Sequence, residues 1–142
     1  MKRPHLLRVD RDAAAFVPLI AACREAGLRV GWLEVGAAAI AAPADLEAAA
    51  GAGALRAVAA APGRTLAVKA LRGAPVVADL LREHFLGCRL VLVRGEGEAP
   101  FLEPDGGRWL LRESAAEPPR RLTTGELMSV LRQPPPAALP RR

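Results

Sequence analysis

The chain has 142 residues, 51% of them hydrophobic, which is typical of one domain with a sizeable apolar core. Its longest uncharged runs, residues 13–23 and 35–44, are about half the length of a membrane span, which argues against a transmembrane protein. The net charge of +5 comes mostly from residues 118–142, where five Arg accompany one Glu, so the body of the chain lacks the basic excess of a typical nucleic-acid-binding domain.

The cysteines and the N-terminus both favour a cytoplasmic protein. Cys23 and Cys88 are far apart and belong to no CxxC motif or Cys/His cluster, so both are expected to behave as small buried hydrophobic residues. Unpaired thiols suit a reducing compartment. Arg8 and Asp10 interrupt the first apolar run, so the start of the chain lacks the apolar core of a signal peptide.

The first 35 residues predict a strand, a helix and a second strand. Residues 5–9 and 28–35 read as the strands. Asp12 suits the N-cap of the helix, because its carboxylate can accept backbone N–H groups. Pro18 conflicts with a regular helix, so the helix either kinks there or begins near Val17. The side chains at helical spacing that would form its inner face are Phe16, Leu19, Ile20 and Cys23.

Residues 36–63 are rich in Ala and Gly and carry little side-chain bulk. Pro43, Asp45 and Glu47 suit the start of a helix, since acidic residues favour its positive N-terminal end. Gly51 and Gly53 are expected to interrupt that helix. A second helical piece is then predicted to run to residue 61.

The strongest local pattern covers residues 64–94. Residues 65–71 and 88–93 are apolar runs with β-branched residues, and helical periodicity lies between them. Pro75 suits the first helical position and Gly87 suits the end. The sequence therefore predicts a βαβ unit with two neighbouring parallel strands.

The C-terminal part predicts a hairpin and a helix. Residues 99–103 and 108–113 flank the turn sequence Pro104-Asp105-Gly106-Gly107. Thr123 and Glu126 match a capping box that starts a helix, and the prolines from Pro134 onwards end it.

These elements predict an α/β fold: a small mixed sheet of about six strands with a central βαβ unit, helices packed on it, and a C-terminal β-hairpin plus helix. Residues 1–117 are predicted as a single domain. Residues 118–133 are predicted as a linker and a C-terminal helix packed on that domain, and residues 134–142 as a mobile Pro/Arg tail.

The predicted strand-to-helix turn is the best candidate for a ligand site. Ligands of open α/β sheets collect beyond the carboxyl ends of the strands, and a helix N-terminus attracts anions. Lys69 and Arg72 would supply charge, while Gly73 and the amide of Val76 would allow close approach of an anion. The alternative is an ordinary turn with two solvated cations, because no phosphate-binding motif is present.

Groups for catalysis are scarce. His84 could act as a base near Asp79 and Glu83, but helical spacing places it on the apolar stripe and the two acids on the opposite face. Four acidic residues lie near the hairpin, namely Glu96, Glu98, Glu103 and Asp105. They lack the spacing of a calcium-binding loop. We therefore predict no catalytic residue, metal or cofactor, and favour a protein without enzymatic activity.

Three functions stay open at this level. The favoured one is a module for protein–protein interaction or homo-oligomer assembly, since Ala-rich helices allow close packing and a sheet edge at the hairpin could pair with another strand. The second is an anion- or nucleotide-binding domain that uses the 69–76 turn, with a phosphate-bearing ligand. The third is nucleic-acid association through Arg120, Arg121, Arg132, Arg141 and Arg142.

Overall fold

The computed structural model of the protein describes residues 3–36, 40–95 and 100–136. The strands are β1 (His5–Val9), β2 (Val30–Glu34), β3 (Arg56–Ala61), β4 (Arg64–Lys69), β5 (Leu90–Arg94), β6 (Phe101–Asp105), β7 (Arg108–Arg112) and β8 (Arg120–Leu122). The helices are α1 (Val17–Glu25), α2 (Ala44–Gly51), α3 (Val77–His84) and α4 (Thr124–Arg132), and a 3-10 turn (Ala13–Phe16) precedes α1. No helix in these ranges is long and apolar enough to cross a membrane.

Six of the strands form one mixed sheet in the order β2-β5-β1-β6-β7-β8. Strand β5 lies in the middle of a parallel group, with β2 on one side and β1 on the other. Strand β6 continues parallel to β1, and β7 and β8 follow antiparallel. The predicted α/β class, with a mixed six-stranded sheet and a C-terminal strand and helix, is confirmed.

Contacts divide the chain into two compact units. The first unit contains residues 1–36 and 77–142, and the second unit is Ala37–Val76, inserted between β2 and α3. The second unit holds α2 and the antiparallel hairpin β3–β4. The contacts divide the chain at 36/37 and 76/77. The predicted boundaries at 117/118 and 133/134 stay predictions.

The predicted parallel pairing of residues 65–71 with 88–93 is wrong. Strand β4 belongs to a separate two-stranded sheet with β3, and the parallel neighbours of β5 are β1 and β2. The predicted helical piece up to residue 61 is also wrong, because residues 56–61 form strand β3. Pro62 and Gly63, with Gly63 at φ 87°, close a two-residue turn, so β3 and β4 meet at a small cost in loop entropy.

The sheet of the first unit is covered on both faces. Helices α1 and α4 cover one face, where the buried cluster is Leu7, Val9, Phe16, Leu19, Cys23, Leu90, Leu92, Leu102, Trp109, Leu111, Leu122, Leu127 and Leu131. Helix α3 covers the other face, over Leu33, Val91 and Val93. Because consecutive residues of β5 face opposite layers and both layers are dry, the run from Leu90 to Val93 is apolar without alternation.

The start of α1 agrees with one of the two predicted alternatives, whereas the role of Asp12 and the start of α3 differ from expectation. Asp12 precedes the 3-10 turn, but its side chain makes no capping hydrogen bond and instead pairs with Arg94. Helix α1 begins at Val17, so Pro18 lies in the first turn, where a missing N–H is tolerated. Helix α3 begins at Val77, two residues beyond Pro75.

Candidate functional site

The predicted anion-binding residues lie at the end of the second unit. Lys69 is the last residue of β4, and Arg72, Gly73 and Val76 follow it in an exposed loop. Their selection assumed a parallel strand that ends beside a helix, whereas β4 belongs to an antiparallel hairpin. The rule about the carboxyl ends of parallel strands therefore does not apply to them, and anion binding there stays a prediction.

The parallel strands do end together elsewhere, at a charged edge that the sequence did not reveal. Arg94 at the end of β5 lies 2.8 Å from Asp12 and 3.6 Å from Glu34, and Glu34 also accepts a hydrogen bond of 3.2 Å from Trp32 Nε1. These side chains are largely exposed, and such ion pairs contribute about 0–1 kcal/mol. Since one cation lies between two carboxylates, these three side chains carry a net charge of −1 and offer little attraction to an anion.

This edge could have been found only with the correct strand order. Asp12, Glu34 and Arg94 each follow or end a strand, but they are distant in the sequence. They converge because Val9, Arg94 and Glu34 are at the same level in the register of β1, β5 and β2.

The predicted nucleic-acid residues are dispersed and partly engaged. Arg120 lies 3.1 Å from Glu113 and Arg121 lies 3.0 Å from Asp105, so each of these cations already has a carboxylate partner. Arg132 is in the last turn of α4. Arg141 and Arg142 lie outside the described residues. The two arginines of β8 are therefore engaged in ion pairs, and nucleic-acid binding through this set stays a prediction.

The groups considered for catalysis or metal binding also do not converge. His84 is exposed, 3.9 Å from Glu83, and not at the edge of the core, while Asp79 pairs with Arg82. In the part of the chain that the structure describes, no three His, Cys, Asp or Glu side chains form a metal-binding group. Glu96 and Glu98 fall outside it.

The two thiols are poor nucleophiles. Burial raises the pKa of Cys23, and burial also raises the pKa of Cys88, with a smaller opposing effect from the nearby cation of Arg29. A raised pKa leaves little thiolate at neutral pH. Burial therefore works against a nucleophilic role for either thiol.

A cavity of about 420 Å³ lies beside the C-terminal end of α4 in the first unit, and buried His5 lines it. His5 Nε2 lies 2.7 Å from the carbonyl oxygen of Gln133, which gives the ring a structural partner. The apolar floor is formed by side chains such as Leu7, Leu127 and Leu131, none more than 4% exposed. The charged side chains of the lining, Glu113 and Arg120, already pair with each other at 3.1 Å, so this cavity is a weak candidate for a polar ligand.

The second unit has the most unusual surface. Of the large hydrophobic side chains exposed in the described residues, most lie in it, namely Ile40, Leu55, Val58, Leu66, Leu71 and Val76; the others are Val17 and Leu86 of the first unit. Helix α2 packs on the hairpin, but the buried hydrophobic side chains described in this unit are only Leu46 and Ala57. We call the exposed side chains of residues 55–71 the hairpin surface.

The hairpin also has open edges. Within the described ranges, β3 pairs with β4 alone and β4 with β3 alone, so each strand has one side without a neighbouring strand. A two-stranded sheet is marginal by itself in water and gains stability from a further strand or an apolar cover. The arrangement can therefore bind another polypeptide by strand addition and apolar contact.

In comparisons with known proteins, no family model, curated protein or solved structure matches the chain.

Proposed function

We propose that this protein is a non-catalytic α/β module of the cytoplasm that binds protein molecules, including copies of itself, through the hairpin surface of its second unit. The first unit serves as the stable scaffold, since its sheet is covered on both faces. The second unit presents the binding surface. One free buried and one free half-buried cysteine fit a reducing compartment.

The observation that carries the proposal is the concentration of exposed apolar side chains on a hairpin with open edges. Leu55 is 72% exposed, Val58 is 58% exposed and Leu66 is 49% exposed. All three lie within a single short segment. Val58 pairs with Ala67 and Leu66 pairs with Ala59, so Val58 and Leu66 lie on opposite faces and both faces of the hairpin carry exposed apolar side chains. Exposed apolar surface concentrated in one small element is typical of interaction sites. Natural sheets usually protect such edges with charges, proline or a covering loop.

In the described residues, the polar side chains considered above do not converge on one site, which favours binding over catalysis. The ion pairs Arg94–Asp12, Arg120–Glu113 and Arg121–Asp105 are exposed and engaged in pairs. General acid–base chemistry needs a titratable group held within reach of a substrate in a protected cleft. The described histidines do not supply one, since His5 bonds a backbone carbonyl and His84 is on the surface.

The test compares the molecular mass of three full-length proteins by light scattering across a concentration series. The wild type is expected to associate as its concentration rises. A variant with Leu55→Gln, Val58→Gln, Leu66→Gln and Leu71→Gln is expected to stay monomeric. The matched control carries Val17→Gln and Leu86→Gln, which remove the exposed hydrophobic side chains of the first unit, and should associate like the wild type.

Circular dichroism checks that each variant is folded. A wild type that is monomeric at every concentration contradicts the proposal, and so does association that the fourfold variant retains.

A further inference from the structure

The two strands of the second unit differ in which backbone groups face outwards. Ala70 N donates to Leu55 O at 3.2 Å, and Leu55 and Ala70 continue the register that pairs Arg56 with Lys69. In an antiparallel pair, every second residue bonds the partner strand, and the residues between them direct their N–H and C=O groups away from it. The outward-directed residues of β3 are therefore Arg56, Val58 and Ala60.

Charge distinguishes the outer edge of β3 from that of β4. Strand β4 begins with Arg64 and ends with Lys69, so cations stand at both ends of its apolar run. Strand β3 has a single cation, Arg56, at its start, and continues uncharged to Ala61. Charged ends discourage edge pairing, so the unprotected edge is that of β3.

We infer that β3 pairs antiparallel with β3 of a second copy of this chain, with Val58 at the twofold axis. The inference rests on the proposed function and names the partner and the contact. The outward N–H and C=O groups of Val58 then bond those of Val58 in the other copy, and Arg56 lies opposite Ala60 of the other copy. The two hairpins become one four-stranded sheet in the order β4-β3-β3-β4.

The sequence of β3 suits its own copy. In this register Arg56 lies opposite an alanine and not opposite a second cation, which avoids like-charge repulsion across the pair. The remaining positions are alanines around a Val–Val pair, so no bulky side chain prevents strands from approaching to the usual spacing of about 4.8 Å. An edge strand of the partner that carried several cations would lose this match.

The twofold arrangement can be tested with charge, because it places residue 58 of one copy opposite residue 58 of the other. Val58→Lys places two lysines opposite each other at the axis, and Val58→Glu places two glutamates there. Each variant alone is expected to weaken association by at least about tenfold, because like charges face each other at the centre of the contact. An equimolar mixture places lysine opposite glutamate and is expected to restore association to near the wild-type value.

Ala67→Lys is the matched control. Ala67 pairs with Val58 inside the hairpin, so its side chain is on the same face but one strand away from the β3 edge. It should leave the dissociation constant within about threefold of the wild type, since the added charge does not oppose its own copy. Light scattering and sedimentation equilibrium on the full chain measure both constants.

Recovery in the mixture also excludes misfolding as the cause of the loss, because mixing two unfolded variants restores nothing. Association that survives Val58→Lys overturns the β3 pairing and leaves the proposed function standing. Loss in both Val58 variants without recovery in the mixture also overturns it. A wild type that stays monomeric up to the order of 1 mM overturns the pairing and the proposed function together.

Discussion

At the scale of single residues, Gly31 in β2 sets the position of the segment that follows α3. A Cβ atom at residue 31 would lie 2.3 Å from Cδ1 and 2.6 Å from Cε1 of the Phe85 ring, so the ring packs directly on the backbone of the strand. Gly31→Ala is therefore expected to lower the free energy of unfolding by about 1–3 kcal/mol, as overpacking does. Urea denaturation followed by tryptophan fluorescence measures it.

A double variant identifies the cause of this loss. Phe85→Leu in the Gly31→Ala background removes the clashing ring atoms. The double variant should therefore lose less stability than the sum of the losses in the two single variants. Gly125→Ala is the control, because a Cβ there meets its nearest neighbour, Thr123 Oγ1, at 4.0 Å. Strictly additive losses would contradict the proposed clash.

Arg89 is a residue whose importance no sequence pattern indicates. Its guanidinium donates to the carbonyl oxygens of Leu131, Arg132 and Gln133, at 2.5 to 2.7 Å, and so closes the C-terminus of α4. Charge-assisted bonds to a helix end contribute about 1–2 kcal/mol, so Arg89→Met should lower the free energy of unfolding by that amount.

Arg89→Lys should give an intermediate loss, because one ammonium group cannot span three carbonyls. Arg24→Met is the matched control, since Arg24 is an exposed cation in the last turn of α1, and its loss should be within about 0.5 kcal/mol of zero. Equal effects of Arg24→Met and Arg89→Met in chemical denaturation would show that the three carbonyl bonds add nothing.

At the scale of elements, the capping box of α4 predicts a dependence on pH. The pKa of Glu126 is held below its ordinary value of 4.5, first by the hydrogen bond from the Thr123 backbone N–H and then by the Thr123 side chain. A lowered pKa means that the ionised carboxylate stabilises the folded state at pH above 4.5 and that this contribution disappears as the pH falls through the folded-state pKa. The stability gap between wild type and Glu126→Ala should therefore shrink on acidification.

Thr123→Ala provides the comparison. Its hydroxyl accepts from Glu126 N at 3.1 Å, and this bond does not titrate, so most of the loss of about 1 kcal/mol should persist in acid. Only the part that comes from lowering the pKa of Glu126 should disappear. Thermal denaturation at several pH values separates the two variants. A gap for Glu126→Ala that is constant with pH would mean that the carboxylate contributes as a neutral group.

Elements with local chemistry were predictable, and elements defined by distant partners were not. The first strand, the capping box of α4, and the hairpin turn, where Gly106 and Gly107 have φ of 53° and 85°, follow from neighbouring residues alone. The sequence predicts a linker where β8 lies, because its three residues are mostly polar and the strand is defined by pairing with β7. The sequence predicts a helix where β3 lies, because alanine favours helices unless a partner strand is available.

The candidate surface was the least predictable feature. A strand edge is exposed or covered according to the sheet order, and the sequence placed β4 in the main sheet, where its apolar residues would have been buried. The prediction that a hairpin edge serves pairing concerned residues 99–113, but β7 of that hairpin has β8 on its outer side. The exposure of Val58 and Leu66 was visible only once the inserted unit was known.

At the scale of the whole molecule, the two units should differ in local stability. The first unit holds two buried apolar clusters, whereas the described residues of the second bury only Leu46 and Ala57 among hydrophobic side chains. Amide hydrogen exchange reports local opening, whose free energy rises with buried apolar contact. Amides of β3 and β4 are therefore expected to exchange faster than those of β1 and β5, at low protein concentration where association adds no protection.

Raising the concentration adds a discriminating signal. If β3 pairs with its copy, the outward amides of Val58 and Ala60 gain protection directly, because the second copy supplies acceptors for their N–H groups. The amides of β1 and β5 should keep their rates, since the first unit is already closed by its own core. Equal protection of both units at every concentration would mean that the chain opens as one cooperative body, and a uniform gain across β3 and β4 would mean general burial and not an added strand.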